Sequence, residues 1–334
     1  MKSLKICITG AGGFIGRQTV ESARAAGYEV IAVVRNTATA PQFWDSDHGI
    51  KVVEVNLAGP DAADVLAKQL SGCVAIIHAA AIMSGPADRQ VVETKAITGS
   101  VLSAMAACTP APRLVLVSSL SVYDGKQLPP GAVLNEESPL ESAPQSRDAY
   151  CWLKLQQEQQ VRTAAKAAGF DLWVLRPGAV FGPGHLWNGH LGYPVGPVLL
   201  EMERRGEVPV SYVSHTAQVL VQAAATPADG VEVINVIDDD RPDRAGYIAA
   251  LRKGGWPRFV VPVSWRLLDA FGRVLEKVPV VGTKLPGLLR SATLHARMKP
   301  LRFETTRLHE HFDIAKQKPF AELMTQSLPE GSKQ

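Results

Sequence analysis

Tyr150 and Lys154 stand four residues apart in "YCWLK", directly after Ser146-Arg147-Asp148, a run whose residue types start helices. On a helix, positions i and i+4 share one face about 6 Å apart, so a phenol and an ammonium there can act on one substrate atom. A free tyrosine, with a pKa of about 10, is a poor base at neutral pH. A neighbouring cation favours the phenolate and lowers that value. The chemistry such a pair offers is proton transfer. Taken alone the same spacing is also that of a solvated helix face, so the rest of the chain must decide.

A second group of residues bears on it. Gly10, Gly13 and Gly16 are spaced G-x-x-G-x-x-G in "ITGAGGFIGRQ", between an apolar strand pattern and the start of a helix. The first two glycines let the backbone turn tightly and approach a pyrophosphate, and Gly16 lets helix and strand pack closely. The phosphates would sit on free N–H groups at Phe14 and Ile15, at the positive end of the helix dipole. Strand before, helix after and a place at the start of the chain make this a dinucleotide-binding turn. The next strand ends in "IAVVRN", with Arg35 and Asn36 where NAD binding usually wants a carboxylate. An arginine can pair with a 2′-phosphate that an acid would repel, and Arg17 can add to that charge. The spacing therefore favours NADP(H) over NAD(H), against the plainer reading that Arg35 caps the sheet edge.

The elements that would position these residues alternate. Apolar runs at Leu4–Thr9, Glu29–Val34, Lys51–Val55, Val74–His78, Arg113–Ser118 and Asp171–Leu175 are separated by helical patterns at Phe14–Ala26, Ala62–Leu70, Val91–Ala107 and Asp148–Ala168. Such a beat implies an α/β, Rossmann-type, doubly wound parallel sheet. After Arg176-Pro177 the stretch "PGAVFGPGHLWNGHLGYPVGP" is dense in Gly and Pro and is expected to be loop. Helical His215–Ala225 and strand-like Val231–Val236 follow, then mostly helices. The expected division is a dinucleotide-binding domain of 1–177 with about 212–236, and a smaller, mostly helical substrate lobe of 178–211 and 237–334.

Composition sets the bounds. The 334 residues are 46% hydrophobic with a net charge of +3, enough apolar content for a large core and no signature of nucleic-acid binding. Cys7, Cys73, Cys108 and Cys151 lack metal-ligand spacing, and no apolar run has the length of a signal peptide or membrane span; a reduced, cytoplasmic protein is expected. His185, His190 and His215 have no acid or cysteine to complete a metal set, so no metal is expected, and a substrate hydrogen bond from His185 or His190 is the sharper reading. Residues 264–300 carry seven Lys or Arg against two acids. Leu267, Leu268, Phe271, Val274, Leu275 and Val278 there follow helical spacing. The plain reading is a helix covering the core with a basic outer face; an anionic substrate, a lipid surface touched peripherally, or a partner such as a second copy are the alternatives.

Five motifs in order, "TGAGGFIG" (9–16), "HAAA" (78–81), "VSSLSVYDG" (117–125), "YCWLK" (150–154) and "LRPGAVFGPG" (175–184), span nearly the whole chain. With them the sequence resembles an extended short-chain dehydrogenase/reductase, the family of NAD-dependent epimerase/dehydratases. The resemblance implies that Tyr150 and Lys154 are catalytic, and that Lys154 also holds the nicotinamide ribose. It implies a Ser hydroxyl on the substrate oxygen, which counting back four from Tyr123 places at Ser119, with Ser118 as a backbone-binding strand end. Ala79, Ala80 and Ala81 after His78 would lie beside the cofactor, Pro177 to Val180 would line its nicotinamide side, and Asn56-Leu57, replacing the family's Asp-Leu, would meet adenine. Ala96 stands where the family's helix carries an asparagine, so that support is expected to be missing.

Three reactions fit the resemblance unequally. Dehydratases carry Thr-Asp-Glu where this chain has Ser119-Leu120-Ser121, so elimination of water lacks its proton carriers. Nucleotide-sugar epimerases need only the Ser, Tyr and Lys, but "GEVPVSYVSHTA" lacks a basic diphosphate site after Arg205. The dihydroflavonol reductase-like and 3β-hydroxysteroid dehydrogenase-like branches share "VVRN", and the apolar content of 256–289 suits an apolar carbonyl substrate. A reductase or dehydrogenase acting on a small molecule is the leading expectation. An epimerase is the alternative, and a non-catalytic NADP(H)-binding sensor is the third.

Overall fold

The computed structural model describes residues 4–275, 290–314 and 317–329. In chain order the first half runs β1 (Lys5–Thr9), α1 (Phe14–Ala25), β2 (Glu29–Val34), β3 (Ile50–Glu54), α2 (Ala62–Leu70), β4 (Cys73–His78), α3 (Ala87–Ala106), β5 (Arg113–Val117), β6 (Val133–Leu134), α4 (Pro144–Arg147) and α5 (Ala149–Ala168). Then come β7 (Leu172–Pro177), β8 (Ala179–Phe181), β9 (Gly192–Val195), β10 (Val198–Glu201), β11 (Val210–Tyr212), α6 (Val213–Ala225), β12 (Val231–Val236), α7 (Arg244–Arg252), β13 (Phe259–Pro262) and α8 (Trp265–Leu275). Short helices at Ser291–Met298, Thr306–His311 and Phe320–Ser327 complete the chain.

Seven strands form one parallel sheet in the order β12-β7-β5-β4-β1-β2-β3. A parallel sheet covered on both faces needs strands apolar on both sides, and β1 meets this with Ile6, Cys7 and Ile8 all fully buried. Ile6 and Ile8 face a layer built with Val20 of α1 and Leu220 of α6. Cys7 faces the opposite layer, with Leu66 of α2, Val101 of α3 and Val161 of α5. Each such side chain contributes about 1.5–3 kcal/mol on burial. The sheet reverses its winding between β1 and β4, which opens a crevice at their C-terminal ends. The turns after those two strands hold Gly10 and the alanines 79–81.

β12 returns to the central sheet beside β7, and α6 packs on α1. The remaining segments build a second core of Phe181, Leu191, Val210, Tyr247, Phe320 and Met324. Here the sequence reading needs correcting. The Gly/Pro-dense stretch contains β9, which pairs antiparallel with β10, while β13 pairs parallel on the other side. The second lobe thus keeps its mostly helical make-up and adds a three-stranded sheet. The amphipathic segment after β13 also differs from expectation: Trp265 and Leu268 of α8 pack inward on Met202, Leu294 and Met298, whereas Leu267, Phe271 and Val274 face solvent. Val278 lies outside the described residues.

Candidate active site

The glycine turn has the shape a pyrophosphate requires. Gly10 has φ of 70°, and a Cβ there would lie 2.8 Å from the Ala80 amide nitrogen, so the turn sits directly against the residues after β4. A Cβ on Gly16 would come within 2.1 Å of the Gly10 carbonyl oxygen, which only hydrogen permits. Gly13 caps α1 with extended backbone and no side-chain bond, and the first turn of α1 holds no acid. Among the described residues the N–H groups of Gly12, Phe14 and Ile15 have no protein acceptor, as expected where a helix N-terminus awaits an anion. A dinucleotide's phosphates fit this cradle.

Past β2, Arg35 is exposed and makes no hydrogen bond or ion pair among the described residues. Asn36 caps a short turn by accepting from the Ala38 N–H at 2.9 Å. Arg17 takes another part: its Nε donates to the Gly12 carbonyl at 2.9 Å and its Nη2 to the Thr39 carbonyl at 2.7 Å. It pins the segment after β2 to the glycine turn. The amide of Asn56 is exposed and accepts from Ala58 N–H at 3.3 Å, while Leu57 is buried.

Asp148 starts α5 by accepting from the Cys151 N–H at 2.8 Å, and this cap fixes where Tyr150 and Lys154 emerge. Tyr150 is half-buried, with the Ser119 hydroxyl beside its phenol. Burial pushes that phenol above its ordinary pKa; the Ser119 hydroxyl opposes the rise and the Asp148 carboxylate adds to it. Ser119 is held in place in turn by accepting from the Ser121 N–H at 3.1 Å. Ser118 points elsewhere: its hydroxyl donates to Glu158 Oε1 at 2.5 Å, in the interior. Lys154 is buried, with Nζ donating to the Val117 carbonyl at 2.8 Å and to Gln157 Oε1 at 3.0 Å. An ammonium has three donors, so one is left for a ligand. Burial pulls its pKa down to about 8, with Glu158 opposing.

Gln157 is the residue the sequence reading missed. Besides accepting from Lys154, its amide nitrogen donates to the Ala80 carbonyl at 3.2 Å and to Thr98 Oγ1 at 3.1 Å. It thereby links the lysine to the turn after β4, a support that Ala96 does not give. The Thr98 hydroxyl proton goes to the Thr94 carbonyl, so its oxygen accepts from His78 Nε2 at 3.1 Å, and His78 Nδ1 accepts the Thr9 hydroxyl at 2.8 Å. Burial, with the Lys154 charge, drops His78 to about 3; it is a neutral spacer. The second missed group is ionic. Arg176 forks onto Glu158 with Nε at 2.9 Å and Nη2 at 2.7 Å, and its Nη1 donates to the Tyr123 hydroxyl at 2.8 Å. The signal was present, since Gln157 and Glu158 follow Lys154 by three and four residues, on or next to its helix face.

Around the cleft, Pro177 is buried at the end of β7, and Val180 lies in β8 with partial exposure. The His185 ring stacks on Phe14 at 4.0 Å between centroids, joining the loop after β8 to the glycine turn. His190 is driven down to about 3 by burial and by Arg244, Arg297 and Arg147. His215 Nδ1 lies 3.2 Å from Asp238 Oδ1. The three histidines thus have separate partners.

Comparisons with known proteins agree with this arrangement. A model of the NAD-dependent epimerase/dehydratase family matches residues 6–236. Cinnamoyl-CoA reductase 2 of Arabidopsis thaliana is 33% identical over 186 residues, covering 53% of this chain and 55% of that protein. The chain thus spans about half the length of the cinnamoyl-CoA reductases it matches. Ceramide reductase of Caulobacter vibrioides is 29% identical over 297 residues, 83% of this chain and 81% of that protein. In fold the chain is similar to the UDP-Glc/GlcNAc 4-epimerase of Campylobacter jejuni, with a TM-score of 0.74 at 17% identity, covering 99% of both chains. With a family match reaching from β1 through β12, on a seven-stranded parallel sheet, the chain belongs to the NAD-dependent epimerase/dehydratase family, the extended short-chain dehydrogenases/reductases.

Proposed function

We propose that this chain is an NADP(H)-dependent reductase or dehydrogenase acting on a carbonyl or alcohol of an apolar small molecule. The observation that carries the reading is the placing of the Ser119 hydroxyl beside the Tyr150 phenol, one helical turn from the buried ammonium of Lys154. A nicotinamide cofactor held by the glycine turn and Lys154 would supply or accept a hydride at the substrate carbon. Ser119 and Tyr150 together hold the substrate oxygen. In reduction Tyr150 donates its proton to that oxygen as the carbon–hydrogen bond forms, and in oxidation it takes the proton back. The raised pKa of the phenol keeps it protonated at neutral pH, the state reduction needs. Lys154 keeps one donor for the nicotinamide ribose, and its charge favours phenolate as the proton leaves.

Arg35, with no carboxylate at the end of β2, supports NADP(H). Two of the relatives above are named reductases, which supports reduction over epimerisation. Leu120 and Ser121, in the turn that follows Ser119, offer no acid for dehydration. The test is to mix purified protein with NADPH and a panel of aldehydes and ketones, long-chain ones included, and follow cofactor absorbance. Substrate-dependent loss of NADPH is expected. Saturable NADPH binding with no consumption on any member, or interconversion of nucleotide sugars without net cofactor turnover, overturns the reading.

A further inference from the structure

The second lobe turns two apolar faces to solvent. On the three-stranded sheet, Phe259, Val198 and Val195 form one cross-strand row, and Val261, Leu200 and Tyr193 the next. Residues paired across strands and alternating along them share one face, so all six project from the same side. Phe259, Val195, Tyr193 and Val261 on the outer strands are 44–62% exposed. After Val263 and Ser264 the chain enters α8, which is anchored at the end of β10 by Trp265, packed on Met202 and donating to Glu203 Oε2 at 3.2 Å. Leu267, Ala270, Phe271 and Val274 then recur at helical spacing as an outward stripe, with Leu267 73% exposed and Val274 64%. Isolated exposed apolar side chains are ordinary; apolar side chains aligned along a helix and across a sheet mark an interaction surface.

Charge identifies the occupant. Between 252 and 275 the chain has five cations, Arg252, Lys253, Arg258, Arg266 and Arg273, against one acid, Asp269. All five cations are exposed, whereas Asp269 is buried and bonds His295 and Arg273. Arg266 and Arg273, seven residues apart, line one edge of the α8 stripe. An apolar stripe edged by arginine, with Tyr193 on the outer face of the sheet, matches the headgroup boundary of an anionic bilayer, where such helices lie in the plane of the surface. No described helix is long and apolar enough to cross a membrane.

We infer that α8 and the outer face of the three-stranded sheet dock the protein peripherally on an anionic lipid surface. β9 continues from the loop that carries His185 and His190, so the docked face adjoins the cleft through which an apolar substrate would enter. The inference stands apart from the reductase reading and can hold if that reading fails.

The experiment is co-sedimentation of the full chain with vesicles of phosphatidylcholine alone and of phosphatidylcholine with phosphatidylglycerol. Binding at least about tenfold tighter to the anionic vesicles, weakening with salt, is expected. Leu267→Glu with Phe271→Glu should lower it at least about tenfold, because both charges enter the apolar boundary. Phe259→Glu should lower it separately, and Arg266→Gln with Arg273→Gln should reduce the preference for anionic lipid. Circular dichroism and NADPH oxidation with a short, water-soluble carbonyl are followed in parallel and should be unchanged. If the wild type stays in the supernatant with both kinds of vesicle, or the folded glutamate variants bind as well as it does, the inference falls. It also falls if light scattering shows a dimer that the glutamate changes dissociate while vesicle binding is absent, since the face would then join copies of this chain.

Discussion

At the scale of single residues, the chemistry reduces to what each side chain's partners leave it free to do. Tyr150→Phe keeps the ring and removes the proton, so turnover should fall by about 10²–10⁴ while the NADPH dissociation constant, measured by fluorescence titration, stays within about threefold of the wild type. The ammonium of Lys154 is depressed by burial to about 8. As pH rises through that value the amine becomes neutral and no longer favours phenolate, so kcat/KM for reduction should fall on its alkaline side with a midpoint near 8. Gln157 acts through Lys154 and is a positioning residue. Gln157→Leu should lower kcat by about 10- to 100-fold, because misplaced catalytic groups cost that much. Gln157→Glu places a carboxylate against the ammonium and should shift the alkaline limb upward, a change in pH profile that a merely structural role would not produce.

At the scale of elements, the node formed by Arg176, Glu158, Tyr123 and Asn235 ties α5 to β7 and β12 beneath the site. Burial raises the Glu158 carboxyl, but the Arg176 pair and the Ser118 hydroxyl outweigh it and hold the pKa below the ordinary carboxylate value. A depressed folded pKa contributes stability above the unfolded pKa, and that stability is lost as pH falls through the folded value. Arg176→Met should therefore cost about 3–5 kcal/mol in denaturant unfolding at neutral pH, because it leaves a buried carboxylate with only the part-exposed Arg162 and the Ser118 hydroxyl. The loss should shrink in acid, where protonated Glu158 no longer needs the cation. A loss independent of pH would show that packing, rather than charge, holds the node.

At the scale of the whole molecule, the cofactor crevice and the second lobe meet across the loop after β8. Arg35→Asp should reverse the order of NADP(H) and NAD(H) dissociation constants, since a carboxylate repels the 2′-phosphate and accepts from a free hydroxyl. Equal constants in the wild type would remove the basis for an arginine-read phosphate. Hydrogen exchange should divide residues 182–196. Residues 183–187, exposed except for Leu186, should exchange fast without ligand and slow with NADPH and substrate, because His185 already stacks on Phe14 at the phosphate turn. The ladder between β9 and β10 should be protected in both states.

What the sequence by itself determined is what local chain chemistry dictates. The glycine turn was legible because only glycine fits where a Cβ would strike the Gly10 carbonyl or the Ala80 amide. The alternating strands and helices were legible because burial on both faces demands unbroken apolar runs, and Asp148 marked the start of α5 because an acid there caps the helix. The place of Tyr150 and Lys154 on one face followed from helical pitch alone. The tertiary structure decided everything that depends on distant partners. Gln157 gains its role from Ala80 and Thr98, 77 and 59 residues away in the chain, and no spacing rule reaches that far. It also decided which way α8 faces. That helix carries apolar side chains over more than half its circumference, so periodicity announces a helix but not its buried side. Packing against Met202, Leu294 and Met298 turned Trp265 and Leu268 inward and left Leu267, Phe271 and Val274 to solvent.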